Sequence, residues 1–305
     1  MKRSLFFLVL AVLWASPSSF ACDSCGCSLA RADREPFFFD FNFEQQVWHK
    51  REVGLAHPLH EEGHDAHDKT HEEFYHFTLG MRPLPDFTVL AEVPYTVRHS
   101  IEIEDEDHSG ERQLSEGFGD LQLTGIYRLL KAGNHFLGPL AGVKFPIGKT
   151  TGRNKQGKKF EPELQPGSGS YDTLLGGAYR VQLKSVTLHG NVLCAIRTKG
   201  AQEFRFGNLF STYLYADYRV NPQSQFFKTK IGLDMTLQHE RKQTHRGVKV
   251  KDSGGTTYLL GPEFSVQGND HLLLFGNILF PVYQNLGGVH QEVRFIWNAG
   301  VKIVF

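Results

Sequence analysis

Apolar and polar residues alternate along most of this chain with a period of two. The alternation is cleanest where Phe37, Phe39, Phe41 and Phe43 interleave with Asp40, Asn42 and Glu44. Period two belongs to the β-strand, whose successive side chains leave opposite faces. It returns in Phe227, Thr229, Ile231, Leu233, Met235 and Leu237 set against Lys228, Lys230, Asp234, Gln238 and Glu240. Such runs, bounded by turn residues, predict twelve strands at about 37–50, 74–82, 87–99, 118–130, 135–147, 171–183, 185–198, 207–220, 226–240, 256–267, 271–281 and 290–305. Most reach the ~9–11 residues that a tilted strand needs to cross hydrocarbon. The expected fold class is all-β, a single antiparallel transmembrane barrel of about twelve strands.

The connections sort by length. Long or medium segments (51–73, 100–117, 148–170, 199–206, 241–255 and 282–289) alternate with short ones at Pro83–Asp86, Lys131–Asn134, Lys184, Asn221–Gln225 and Gly268–Asp270. Tight turns on one side and larger loops on the other mark a bacterial outer-membrane barrel, and an even strand count returns both termini to the periplasmic side. A soluble sandwich has no reason to sort its loops so. Tyr127, Tyr171, Tyr179, Tyr213, Tyr215, Tyr218 and Trp297 lie near strand ends and are expected in the interfacial aromatic girdles.

In the last strand Val293, Phe295, Trp297, Ala299, Val301, Ile303 and Phe305 take alternate positions, with Glu292, Arg294, Asn298 and Lys302 between them. A chain ending so resembles outer-membrane barrels whose C-terminal aromatic is read by the barrel-assembly machinery, which makes Phe305 the expected assembly signal. At the other end Lys2 and Arg3 precede the apolar run Leu5–Ala15, and Ser19-Phe20-Ala21 supplies small residues at −3 and −1. This pattern predicts a signal peptide over 1–21, followed by a periplasmic Cys-containing segment over 22–36 and the barrel over 37–305. No segment offers the ~20 continuous apolar residues of a spanning helix.

Lys plus Arg and Asp plus Glu both number 33, so the formal charge is zero and general nucleic-acid binding is not expected. Charge is segregated instead: Glu102–Asp107 is acidic, and Lys149–Lys159 and Arg241–Lys251 are basic. The basic loop Lys149, Arg153, Lys155, Lys158 and Lys159 is expected to meet lipopolysaccharide phosphates, with outer-membrane lipid around the barrel.

Residues 116–241 carry Glu116-Gly117-Phe118-Gly119-Asp120-Leu121, Gly142-Val143-Lys144-Phe145-Pro146-Ile147-Gly148-Lys149 and Gln165-Pro166-Gly167-Ser168-Gly169. In order and spacing these resemble the transporter-like outer-membrane proteins named for a meta-pathway of phenol degradation. In that family G-x-G-D opens one strand and another ends in K-x-P-T-G; here Ile147 stands in place of the threonine. The resemblance implies a barrel that passes small solutes, without naming one.

Two constellations suit metal chemistry. His57, His60, His64, His67 and His71 are spaced by three or four, which would put five imidazoles on one face of a short helix among Glu61, Glu62, Asp65, Asp68, Glu72 and Glu73. Imidazoles so spaced suit Zn²⁺, Cu²⁺ or Ni²⁺; the alternative is a solvated His-rich outer loop. Cys22, Cys25 and Cys27 put three sulfurs within six residues. They could hold Zn²⁺ or Cu⁺, form a disulfide, or, for Cys22, carry lipid. Cys194 shares a face with Val186, Leu188, Val192 and Ile196 and is expected to face lipid.

Strand parity nominates as lumen-lining Glu92, Arg98, Asp120, Arg128, Arg180, His189, Lys228, Lys230, Asp234, Glu240, Glu263, Glu292 and Arg294. Mixed signs inside a barrel either line an aqueous path or pair across it and plug it. No nucleophile elbow or phosphate-cradling loop occurs, so no enzyme is expected. The leading reading is a channel or transporter for a small solute, a metal-related one included. A barrel scaffolding metal capture by the His loop and Cys segment, and a secreted soluble β-barrel, are the alternatives.

Overall fold

The structure, a computed structural model, describes residues 36–50, 69–102, 111–221, 227–268, 271–287 and 291–305. Twelve antiparallel strands close on themselves among these residues: β1 (Phe37–Lys50), β2 (Lys69–Leu84), β3 (Phe87–Glu102), β4 (Glu111–Phe118 and Leu121–Tyr127), β5 (His135–Phe145) and β6 (Asp172–Leu183) form one half. β7 (Val186–Ile196), β8 (Leu209–Arg219), β9 (Lys228–Glu240), β10 (Gly255–Gln267), β11 (Leu272–Leu286) and β12 (Gln291–Val304) form the other. Each strand pairs with its sequence neighbour, and β1 closes the ring by pairing with β12, from Phe38 opposite Val304 to Lys50 opposite Gln291. Closure leaves no edge, so the ladders satisfy backbone groups that hydrocarbon could not.

The two faces of this sheet are inverted relative to a soluble protein. Side chains pointing inward are polar and sealed: Asp40 is 1% exposed, Asp234 0% and Glu263 4%. Large apolar side chains pointing outward are bare, with Ile231 at 51%, Phe264 at 52% and Leu274 at 50%. Buried charge with exposed grease is unfavourable in water and is the arrangement expected with lipid outside. Some inward positions are apolar: Leu90, Ile126, Leu140, Leu174 and Leu193 belong to one buried cluster, and Leu259, Leu279, Val293 and Ile296 to another against Trp48.

Several elements differ from the period-two reading. β2 begins at Lys69, so His71 stands inside a strand, opposite Val47 and His99, and cannot share a helix face with the four histidines before it. β11 runs on to Leu286, which shortens the last outer connection. β4 starts at Glu111 and breaks at Gly119-Asp120, beside Pro94, whose carbonyl accepts from Gly119 N–H at 2.8 Å. Proline has no N–H to give the ladder.

The largest correction concerns β12. The β1–β12 register slips between Val47, opposite Phe295, and Trp48, opposite Val293, leaving Arg294 as the extra residue of a bulge. A one-residue slip moves every later side chain to the other face. Val293 therefore packs inside at 1% exposed and Arg294 is exposed, so neither Arg294 nor Glu292, the neighbour of inward Val293, lines the lumen as parity predicts. In the expected girdle, Tyr127, Tyr171, Tyr179 and Tyr218 are exposed, but Tyr213 and Tyr215 are buried inward-facing residues. Cys194 is half-buried, on the side opposite the inward Leu193 and Ala195.

Candidate functional site: the lumen and its two mouths

Strand tilt makes the hydrogen-bonded rows inside the barrel climb from one end to the other. One row runs Lys302, Asp40, Thr78, Glu92, Gln122, Lys144, Asp172, starting near the C-terminus on the periplasmic side and ending at the first residue of β6 on the outer side. Its middle is a closed polar network. His76 Nδ1 lies 3.1 Å from Glu92 Oε1, and Gln46 donates to Glu44 Oε1 at 2.6 Å. Asn42 donates to Asn298 at 3.3 Å, Asn298 to Asn277 at 2.8 Å and Asn277 to Asp234 Oδ2 at 2.5 Å. Asp217 faces Lys230 at 3.2 Å and His189 at 3.8 Å. Lys302 sits 4.0 Å above the Phe38 ring. Buried charges persist when paired in this way and are costly when orphaned.

At the outer mouth the three glycine-rich motifs come together around one carboxylate. Asp120 Oδ1 accepts from Gly148 N–H at 3.0 Å; Oδ2 accepts from Ser168 N–H at 2.9 Å and Ser168 Oγ–H at 2.5 Å, with Lys144 Nζ at 3.6 Å. Lys144 also pairs with Asp172, which accepts from Ser170 Oγ at 2.9 Å and Thr198 N–H at 3.0 Å. Backbones must nearly touch for this. A Cβ on Gly148 would lie 2.7 Å from Gly167 Cα, and a Cβ on Gly167 would lie 2.5 Å from Gly148 C.

The knot folds the segment 146–171 inward across the mouth, where it follows the outer half of β4: Lys149 N–H bonds Phe118 O at 2.9 Å. Arg98 on β3 is a latch, donating through Nη1 to the carbonyls of Glu163 and Gln165, both at 2.9 Å, while Nε pairs with Glu72 at 2.7 Å. Gln165 is buried and bridges Gly152 and Phe160. Opposite, Glu240 pairs with Arg197 at 3.3 Å and accepts from Gly207 N–H at 2.9 Å. Glu163 is near enough to act on Glu240 electrostatically, so the inserted segment reaches from β3 towards β9.

At the periplasmic mouth a cavity of about 720 Å³ is lined by Arg82, Arg128 and Arg180 with Phe136, Gln182 and the Pro83–Pro85 turn. Arg128 lies over the Phe136 ring at 5.7 Å, and Arg180 donates to Gln182 Oε1 at 3.1 Å.

Of the residues that parity nominates, Glu92, Asp234 and Glu263 are sealed inside, His189 and Lys230 are partly exposed beside Asp217, and Lys228 is half-buried near them. Arg98, Asp120 and Glu240 belong to the outer mouth, and Arg128 and Arg180 to the periplasmic one. Parity missed Asp40, Asn42, Glu44, Asn277, Asn298 and Lys302, although they alternate with the apolar residues of β1, β11 and β12. Lys144, Asp172 and Arg197 went unnoticed at strand ends. Arg82 could have been found as the cation flanking a short turn, with Asp86 at its other side. Cys22, Cys25, Cys27, His57, His60, His64 and His67 lie outside the described residues, and among those described no cluster of three or more His, Cys, Asp or Glu suits a metal.

No family model and no curated protein matches the chain, so its likeness to the phenol meta-pathway proteins rests on the motifs alone. Among solved structures it is similar to the COG4313 outer membrane channel from Pseudomonas putida F1, with a TM-score of 0.63 and 16% identity over 90% of this chain and 96% of that one. The beta domain of the Bordetella autotransporter BrkA gives 0.49 and 10% over 90% and 100%. The P. putida toluene transporter TodX gives 0.43 and 10% over 91% and 92%. Together with the inverted faces of the sheet, the first of these fixes the fold as a twelve-stranded transmembrane barrel and its place as the bacterial outer membrane.

Proposed function

We propose that this barrel is a gated channel for a small solute, held closed at its outer mouth in the conformation described. The observation that carries the reading is the latch. The segment 146–171 folds over the mouth as an insert, held to β3, two strands away from its own β5, by one arginine bonded to two backbone carbonyls. A barrel whose sole role is to display loops has no need of an insert latched across its lumen. The likeness in fold to an outer membrane channel supports the same reading.

Arg98→Ala removes both bonds and leaves the strands intact. In planar bilayers the wild type should conduct weakly or intermittently, and Arg98→Ala should open more often and to a larger conductance. Equal silence from both, in protein shown to be folded by its shifted gel migration without heating, would sink the channel reading and favour a plugged scaffold.

A further inference from the structure

We propose that His71 and His99 form a clamp for a divalent transition-metal ion of the Zn²⁺, Ni²⁺ and Cu²⁺ class on the outer rim of the barrel. The site is separate from the channel reading and does not rest on it. His71 on β2 and His99 on β3 stand directly opposite each other in the antiparallel ladder, and both are exposed. Residues so placed hold their Cβ atoms ~4.5–5.5 Å apart, close enough for two imidazoles to turn a nitrogen each onto one ion at the ~2.0–2.1 Å of a zinc–histidine bond. The partner of His71 is therefore given by strand register, not by the spacing of the histidines before it.

The face that the two rings share is fixed by their neighbours. Glu72 and Arg98 are the next pair of the ladder and meet inside the mouth, with Arg98 Nε 2.7 Å from Glu72 Oε1. Side chains alternate along a strand, so His71 and His99 leave by the outer face. Towards the periplasm, Tyr75 and Tyr95 are likewise opposite, within a row of neighbouring rings that runs Trp297, Phe43, Tyr75, Tyr95, Phe118. Such a row marks the edge of the hydrocarbon. The histidines lie beyond it, on the side of the outer connections, where water and ions reach them.

Neither ring has a hydrogen-bond or ionic partner among the described residues, so each keeps a nitrogen lone pair to give. Imidazole nitrogens suit this class of ion, whereas Mg²⁺ and Ca²⁺ take oxygen. Negative charge lies alongside. Glu73, next to His71 on the same face, accepts from Tyr75 Oη–H at 2.9 Å and Gln45 Nε2 at 3.4 Å, and exposed Glu116 pairs opposite Val97. These carboxylates raise the local concentration of cations without occupying the rings. The pair supplies two protein ligands, and water completes the shell.

A clamp across two strands exists only in the folded barrel, so a metal bound there stabilises it by mass action, whereas groups that bind equally well in the unfolded chain do not. The test is urea unfolding of the refolded barrel in zwitterionic micelles with Ni²⁺, Zn²⁺ or Mg²⁺. It is run on wild type, His71→Gln, His99→Gln and a variant combining His57→Gln, His60→Gln, His64→Gln and His67→Gln. Ni²⁺ and Zn²⁺ should raise the unfolding midpoint of wild type and of the combined variant, and Mg²⁺ should not. Either single substitution should leave the metal-free midpoint unchanged and weaken Ni²⁺, read from the dependence of the midpoint on its concentration, by at least ~10-fold, the loss that even an outer partner of a ligand produces. No rise in wild type, a rise kept in both single variants, a rise lost in the combined variant, or an equal rise with Mg²⁺ would each overturn the proposal.

Discussion

At the outer end of the lumen, Asp120, Lys144 and Asp172 are packed among backbone N–H groups and serine hydroxyls, so that their polar atoms are spent on holding chain segments together. At the periplasmic end, Arg82, Arg128 and Arg180 face a cavity. Both ends are rich in charge, and both lie where strands meet connections. The difference lies in the connections. A turn as short as Pro83–Pro85 cannot fold back over the mouth, whereas the segment 146–171 is long enough to do so and must then be anchored. Charge at the outer end is therefore spent on anchoring a long segment, and charge at the inner end surrounds a cavity beside a short turn.

The strongest way to break this contrast is to forbid the outer anchor. Gly167→Val places a branched side chain where Gly148 backbone atoms already lie within 2.5–2.8 Å of a Cβ. Neither backbone can retreat without leaving Asp120, so the segment should undock at a cost of several kcal/mol, of the order seen for severe overpacking, ~3 or more. The expected result is a barrel that keeps its strands but is cut by protease within 146–171 and conducts steadily. A variant as resistant to protease as wild type would show that the glycines are not what closes the mouth.

Asp120→Asn is the milder version. It keeps the shape, removes the charge, and places an NH₂ where one of the donors from Gly148 or Ser168 now points. Losing charge-assisted bonds to a buried carboxylate costs about 2–4 kcal/mol, read as a lower urea midpoint with an unchanged slope. Stability equal to wild type would mean that Lys144 and Asp172 carry the knot by themselves.

These residues also mark how far the sequence could be read. Phe37 to Phe43 announce both the strand and its orientation, because one face is wholly aromatic and the other polar. The sorting of turns and loops places the ends. Where both faces are partly apolar, as in β6 and β7 with Leu174 and Leu193 inside and Leu175 and Val192 outside, period two locates a strand but not its inner side. The bulge at Arg294 defeats parity for a related reason: counting by twos carries no record of an added residue. The motifs around Asp120 were visible as spacing. Their meaning was not, because each glycine alone reads as strand-end punctuation, and Ser168 reads as a turn-maker. What explains them is backbone contact between segments some 20 to 50 residues apart, which no local pattern encodes.

The smallest expected effect is the most informative about the inner end. Arg82 is half-exposed, its N–H bonds Pro36 O at 2.8 Å through the main chain, and it lines the periplasmic cavity. Arg82→Gln leaves that backbone bond untouched, so stability should stay within about 0.5 kcal/mol of wild type, as for surface changes away from packed networks. Asp120→Asn, an equally conservative change in size, should cost several times more. If the two substitutions cost the same in urea unfolding, the periplasmic arginines are anchors like the outer carboxylates, and the two ends of the lumen are built alike.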